Sequence, residues 1–94
     1  MIKHIVLFKF ENPEENIPIV RESLYALCDK IPEIVHMQIG ADFLHSGRSY
    51  DMALLVDFKS REDMQVYDKH PDHQAARVYI HAHRTESRTV DFEF

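Results

Sequence analysis

The segment IKHIVLFKF, residues 2–10, alternates with the period of a β-strand. One face carries Ile2, His4, Val6, Phe8 and Phe10, and the other carries Lys3, Ile5, Leu7 and Lys9. Because Ile5 and Leu7 stand at the centre of the second face, both faces of this strand need cover from water. The segment therefore predicts a central strand that is covered by protein on both sides.

Two helical regions are marked by their start and stop signals. Pro13, followed by two glutamates, predicts a helix start, and Pro32 ends that helix at Ile31. Ser60 predicts the N-cap of a short helix, and Pro71 opens a further helix that ends near residue 83. The chain thus has one helix after the first strand and a helix pair before its last segment.

Strand periodicity returns in residues 34–39, 50–58 and 88–94. The resulting order, β-α-β-β-α(α)-β, is that of the split βαβ or ferredoxin-like fold of the α+β class. Right-handed crossovers place both helical regions on one face of a four-stranded antiparallel sheet. We expect a single domain over residues 1–94.

The opposite face of the predicted sheet has no cover within the chain. Its central residues are Ile5, Leu7, Ala53 and Leu55. An apolar face of this size is rarely left in water. Packing against a second copy covers it and closes a barrel across a two-fold axis. We therefore expect a homodimer that forms a dimeric α/β barrel through the sheet face.

The composition argues against two classes of partner. The chain has a formal net charge of -5, and its Lys and Arg residues form no block, so we expect no binding to nucleic acid. No stretch is long and apolar enough to span a bilayer, and the N-terminus runs into a strand rather than a signal peptide.

The single cysteine, Cys28, fits a cytoplasmic location. On its helix, Cys28 is predicted to be a small buried hydrophobe.

Seven histidines are a high count for 94 residues. His70 and His73 are spaced to chelate, but a zinc site needs further ligands that are not evident, so we predict no metal site. His73 is the third residue of a predicted helix, where the helix dipole favours the neutral imidazole. A neutral imidazole is what a general base requires, which makes His73 a candidate for that role.

His4 and Tyr67 each have two interpretations. His4 shares the helix-covered face with Val6 and Phe8, and Tyr67 faces inward from the short helix. Both are consistent with ordinary core residues. The alternative for His4 is a polar group that lines a cavity between the sheet and the helices, and the alternative for Tyr67 is a catalytic phenol.

The chain resembles the stress-responsive A/B barrel (Dabb) family in several segments that occur along it in order. These segments are residues 2–8, 50–54, 58–60 (FKS), 67–73 and 90–92. The most specific part is the combination of YDKHPDH at 67–73 with the N-terminal KHI. The resemblance covers essentially the whole chain. It implies the dimeric ferredoxin-like barrel, in a family most of whose members have no known activity.

One branch of that family, the plant olivetolic acid cyclase, closes a linear polyketide by aldol condensation without a cofactor. The resemblance implies that Tyr67 and His73 match its catalytic pair and that His4 matches its N-terminal strand histidine. Leu24 stands where that branch has a second pocket tyrosine, which is a departure. Some plant relatives hold Mg²⁺ through backbone oxygens at a turn that corresponds to residues 31–35 here.

We therefore expect each subunit to have a mostly apolar pocket for a small apolar or carbonyl-containing molecule, with no cofactor. In an enzyme of this kind, His73 would remove a proton while Tyr67 or His4 held the enolate oxygen. The expected pocket residues also include Val6, Phe8 and Leu24. A non-catalytic stress or small-ligand binding protein is the alternative. A monooxygenase-like or haem-degrading barrel is a weaker one, because the chain has no Trp and lacks the motifs of those families.

Overall fold

A computed structural model describes residues 1–94 and contains a four-stranded antiparallel sheet with three α-helices. The elements are β1 (Ile2–Phe10), α1 (Pro13–Tyr25), β2 (His36–Ala41), β3 (Met52–Phe58), α2 (Arg61–Lys69), α3 (Pro71–His83) and β4 (Arg84–Glu93). The strand order β2-β3-β1-β4 confirms the predicted ferredoxin-like α+β fold. None of the helices has the length and apolar character needed to cross a membrane.

Several element boundaries differ from the prediction, including the start of β3, which lies at Met52 rather than at residue 50. The α1 helix ends at Tyr25 and continues as a 3₁₀ turn over Ala26–Asp29, short of the predicted end at Ile31. The start of β2 is delayed to His36 because the backbone N–H of Ile34 donates to Ile31 in a turn. The start of β4 moves forward to Arg84, since this strand follows α3 directly and pairs with the end of β1.

The predicted burial of Cys28 is wrong. Cys28 lies in the 3₁₀ turn and is exposed. The tighter turn changes the helical period after Tyr25, so that Leu27 is the residue of this turn that enters the core. The Cys28 sulfur lies 3.9 Å from the sulfur of Met37, a buried core residue.

The core forms between the sheet and the helices from 16 buried apolar residues. Alternate β1 residues point into it, as predicted, and Val56 and Phe58 of β3 are fully buried beside them. Val20 and Leu24 of α1 cover this face of the sheet. Burial of each such side chain contributes about 2 kcal/mol, so this layer supplies most of the stability of the fold.

One polar link joins α1 to α3 inside the packed layer. Asn16 of α1 is 4% exposed, and its Oδ1 accepts a hydrogen bond of 2.7 Å from the hydroxyl of Tyr79 in α3. Its amide nitrogen donates to the backbone carbonyl of Glu11. Because both side-chain polar atoms of Asn16 have a partner, its burial is compatible with a stable core.

The other face of the sheet, here called the open face, has no cover. Pairing places Ile5 beside both Leu55 and Val90, and Leu7 beside Ala53. The apolar surface extends to the edge strand β4, where Val90 is 53% exposed and Phe92 is 43% exposed. The apolar side of β4 therefore faces away from the helices.

Candidate functional site

Tyr67 occupies the centre of the candidate site. It lies in the last turns of α2, is 1% exposed, and packs against Phe58 with ring centroids 5.1 Å apart. Its hydroxyl is buried and has no hydrogen-bond partner in the chain. Burial raises the pKa of Tyr67, so the phenol stays protonated at neutral pH. The site therefore contains a buried O–H donor with nothing to donate to.

His73 reaches Tyr67 because α2 and α3 are separated by a sharp break. Pro71 cannot continue α2 and takes the first position of α3, while the Nδ1 of His70 caps the new helix by accepting from the Asp72 amide at 3.1 Å. The turn folds His73 back over Tyr67. Their rings stack with centroids 4.0 Å apart.

The tautomer of His73 follows from its hydrogen bond. Its Nδ1 lies 2.9 Å from the backbone carbonyl of Tyr67, and a carbonyl can only accept, so Nδ1 carries the proton. The lone pair of the neutral ring is then on Nε2. Burial and the nearby Arg77 lower the pKa of His73 to about 4, against a raising effect of the Tyr67 carbonyl. His73 is therefore neutral at pH 7, and burial rather than the helix dipole is the main cause.

His4 approaches Tyr67 from β1. The two rings meet edge to face with centroids 6.2 Å apart. The Nδ1 of His4 donates to the carboxylate of Asp91, which faces it from β4 in the strand register. This carboxylate orients the imidazole and selects the tautomer protonated on Nδ1.

The sequence predictions did not identify Asp91. The alternation in β4 puts Asp91 on one face with Thr89 and Glu93. Only the register between β1 and β4 shows that this face is the one that carries His4. The signal available in the sequence was the alternation in β4, which places polar residues on one face of the strand and mainly apolar residues on the other.

The structure brings the three predicted catalytic residues, His4, Tyr67 and His73, together around the Tyr67 ring. The residues predicted to line the pocket have a different environment. Val6, Phe8 and Leu24 are 9%, 6% and 1% exposed, belong to the packed core, and line none of the four main cavities. At these three positions the side chains of the core fill the space where a pocket was expected.

An open cleft of about 420 Å³ lies beside this cluster, between α2 and the edge of the sheet. It is lined by Ile2, Arg61, Met64, Gln65, Asp68, Asp91, Phe92 and Glu93. Asp91 belongs both to the wall of the cleft and to the pair with His4. An ion pair of 2.6 Å between Arg61 and Glu93 joins the two walls at the surface. The cleft therefore meets the cluster only at Asp91, since His4, Tyr67 and His73 do not line it.

The structure does not bring metal-binding side chains together at His70 and His73. No group of three or more His, Cys, Asp or Glu side chains could hold a metal ion. The turn at residues 31–35 has one carboxylate, Glu33, and its Ile31 carbonyl accepts from Ile34. Magnesium at this turn stays a prediction, and no chemical step below uses it.

Comparisons with known proteins agree with this architecture. Residues 2–94 match the family described as Stress responsive A/B Barrel Domain. No significant match was found among curated proteins. A dimeric ferredoxin-like protein of unknown function from Thermobifida fusca is 29% identical, with a TM-score of 0.87 over 99% of this chain and 90% of that one.

Two further solved structures show how widely this fold is used. A dimeric protein of unknown function with a ferredoxin-like fold from Bacteroides fragilis is 32% identical, with a TM-score of 0.82 over 99% of this chain and 95% of that one. The hydroxynitrile lyase of Passiflora edulis is 14% identical, with a TM-score of 0.85 over 97% of this chain and 90% of that one. The last likeness shows the fold alone.

Proposed function

The chain belongs to the stress responsive A/B barrel domain family, and we propose that it is a homodimer that binds a small carbonyl compound beside Tyr67. In this proposal the bound molecule undergoes acid–base chemistry that requires no cofactor. The observation that carries the proposal is the buried hydroxyl of Tyr67, which has no hydrogen-bond partner. Leaving such a group unpaired costs about 1–3 kcal/mol, and a role at a functional site is a usual reason for keeping it.

The surroundings of Tyr67 supply complementary acid and base groups. His73 has its lone pair on Nε2 and accepts the proton from the carbon next to the carbonyl. The Tyr67 hydroxyl stays protonated and donates a hydrogen bond to the enolate oxygen that forms. In an aldol step, the enolate carbon then attacks a second carbonyl. The proton on His73 passes to the new alkoxide, so that no proton is gained or lost.

The low pKa of His73 keeps the imidazole unprotonated at pH 7, and it also makes His73 a weak base whose conjugate acid gives up its proton readily. A base with a pKa of about 4 holds its proton only briefly. It therefore suits steps in which the same proton returns to the product, as in an aldol closure or a lyase reaction. The pair of His4 and Asp91 has a supporting role, since it presents an oriented imidazole to the edge of the Tyr67 ring.

The cleft between α2 and β4 is the proposed route to these groups. Tyr67 is 1% exposed, so a substrate reaches its hydroxyl only when the cleft deepens by movement of α2 or of the His4–Asp91 pair. The ion pair of Arg61 and Glu93 is exposed on both sides, and such pairs contribute little to stability. It therefore presents a small barrier to opening.

The homodimer is supported by the open face and by relatives. Ile5, Leu55 and Val90 form a continuous apolar surface that the chain itself does not cover. The related protein from Bacteroides fragilis, at 32% identity, is described as dimeric. Packing of two open faces against each other removes both apolar surfaces from water.

A second candidate is a binding protein without turnover. Its specific support is the tight packing of Tyr67 and His73, because each ring already stacks on the other. In that case a ligand occupies the cleft beside Asp91 and Phe92 and never meets the phenol.

Deuterium exchange separates the two candidates. Small β-dicarbonyl and ketone compounds are incubated with the protein in heavy water containing EDTA, and loss of the proton next to the carbonyl is followed by NMR. We expect the protein to accelerate exchange and His73→Asn to lose about 100-fold or more of that rate. His81→Asn, on the exposed side of the same helix, serves as the matched control and should leave the rate unchanged. Binding without any acceleration would favour the non-catalytic candidate.

A further inference from the structure

The loop between β2 and β3 presents two large apolar side chains to solvent. Phe43 is 89% exposed and Leu44 is 69% exposed. Loop tips are ordinarily polar, because their side chains gain nothing from the core. We call Phe43 and Leu44 the arm. Neither residue is explained by the packing of a single chain.

The loop that carries the arm is held by its own hydrogen bonds. The backbone amide of Asp42 donates to the backbone carbonyl of Asp51 at 2.9 Å. The carboxylate of Asp42 accepts from the backbone amide of His45 at 2.7 Å. On the far side, the hydroxyls of Ser46 and Ser49 lie 2.7 Å apart. The arm is therefore presented on a preformed turn, and little conformational entropy is lost when it binds.

A depression on the open face lies next to the arm. It has a volume of about 400 Å³ and is lined by Leu7, Gly40, Ala41, Asp42, Phe43, Arg48, Tyr50, Met52 and Ala53. Its floor is low because Gly40 pairs directly with Ala53, so two of the smallest residues stand side by side. A Cβ placed on Gly40 would meet no atom within 4 Å. A glycine inside a strand commonly marks a place where another group approaches closely.

We propose that the arm of each copy inserts into the depression of a second copy, so that two reciprocal contacts lock the dimer. This inference rests on the proposed homodimer and names the contact that secures it. The depression includes Leu7 and Ala53, which belong to the open face, so it is continuous with the proposed interface. In a two-fold dimer each protruding group must meet a receiving group on the same surface, and Phe43 of the arm borders the depression of its own chain.

The decisive variant fills the depression. Gly40 has no left-handed φ and free space around it, so Gly40→Leu should leave the fold of one chain intact. It should weaken dimerisation about 100-fold, since each of two blocked contacts costs about tenfold. Gly47→Leu is the matched control, because Gly47 also has free space but does not line the depression. Gly47→Leu should dimerise like the wild type.

The second variant removes the inserting group. Phe43→Ser cannot damage the core of one chain, because Phe43 is 89% exposed. It should weaken dimerisation about as much as Gly40→Leu does, and Phe43→Tyr should retain most of the affinity. Combining Gly40→Leu with Phe43→Ser should add little to either change, since both act on the same contact.

Sedimentation velocity over a range of concentrations measures all of these dissociation constants. Wild-type affinity in both Gly40→Leu and Phe43→Ser would overturn the arm contact. If Leu55→Asp at the centre of the open face still dissociated the protein, the homodimer itself would stand. The homodimer itself would be overturned if the wild-type protein stayed monomeric at about 100 μM. That concentration is well above the micromolar dissociation constants of ordinary association.

Discussion

His73 is bound to Tyr67 twice, once through its ring and once through its Nδ1. The rings stack at 4.0 Å, and the Nδ1 donates to the Tyr67 backbone carbonyl at 2.9 Å. Tyr67 therefore determines both the position and the tautomer of His73. A change at His73, or loss of the Tyr67 ring, should therefore be visible in stability as well as in chemistry.

Stability should fall as the pH falls below 6.5, because His73 must take up a proton on unfolding. Its pKa is about 4 in the folded chain and 6.5 in the unfolded chain, so the unfolded chain binds more protons between these values. Above pH 6.5 the group has no effect. The loss should approach about 3 kcal/mol at pH 4 and about 2 kcal/mol at pH 5. Urea unfolding at pH 7.5 and 5 should show this difference in the wild type and lose it in His73→Asn, whereas His81→Asn should retain it.

Tyr67→Phe should leave stability unchanged or raise it by about 1 kcal/mol, because it removes a buried hydroxyl that has no partner. The same change should abolish most of the proton exchange, since the enolate oxygen loses its donor. Urea unfolding and deuterium exchange on one preparation measure both effects. A clear loss of stability would mean that the hydroxyl has a partner, and the functional argument from it would then fail.

Leu55→Asp should convert the dimer to a monomer, because it places a charge at the centre of the open face. Val78→Asp is the control, since Val78 is 73% exposed on α3 and away from the sheet. Light scattering should give the 11.1 kDa chain mass for Leu55→Asp and about twice that mass for the wild type and for Val78→Asp. Equal masses for all three proteins would contradict the assignment of the open face as the interface.

Gln65→Trp should block the cleft, since Gln65 lines it from α2 and an indole fills much of its volume. We expect deuterium exchange to fall about tenfold or more with little change in stability. Glu62→Trp adds the same bulk on α2 outside the cleft and should have no effect. Full exchange activity in Gln65→Trp would show that substrate reaches Tyr67 by another route.

Strand periodicity predicts the two faces of β1 correctly, because burial alternates along a strand wherever only one face is covered. Phe8 is buried beneath the helices, and Ile5 remains on the open face. Pro71 likewise predicts the break that positions His73, because a proline can begin a helix but not continue one. These features depend on single residues and their neighbours.

Other features depend on competition between local hydrogen-bond partners or on pairing between residues far apart in the chain. These features cannot be predicted from single residues and their neighbours. The change from α-helix to 3₁₀ turn at Ala26 is decided by local carbonyl partners, and it exposes Cys28 against expectation. The contact of His4 with Asp91 joins residues 87 positions apart. Apolar residues such as Phe8 look alike in sequence whether they line a cavity or fill it. The catalytic roles of His4, Tyr67 and His73 stay predictions.

The long edge strand β4 also makes the chain vulnerable before it assembles. An unassembled copy presents a ten-residue strand with an unpaired edge and with Val90 and Phe92 on its exposed side. Such an edge is a template for irregular pairing with other chains, so assembly competes with aggregation from the moment of synthesis. Variants that weaken the interface by trimming apolar contacts should therefore accumulate as aggregates or be degraded. Variants that weaken it by adding a charge to the open face should stay dispersed, because the charge interrupts the apolar surface that would otherwise drive aggregation.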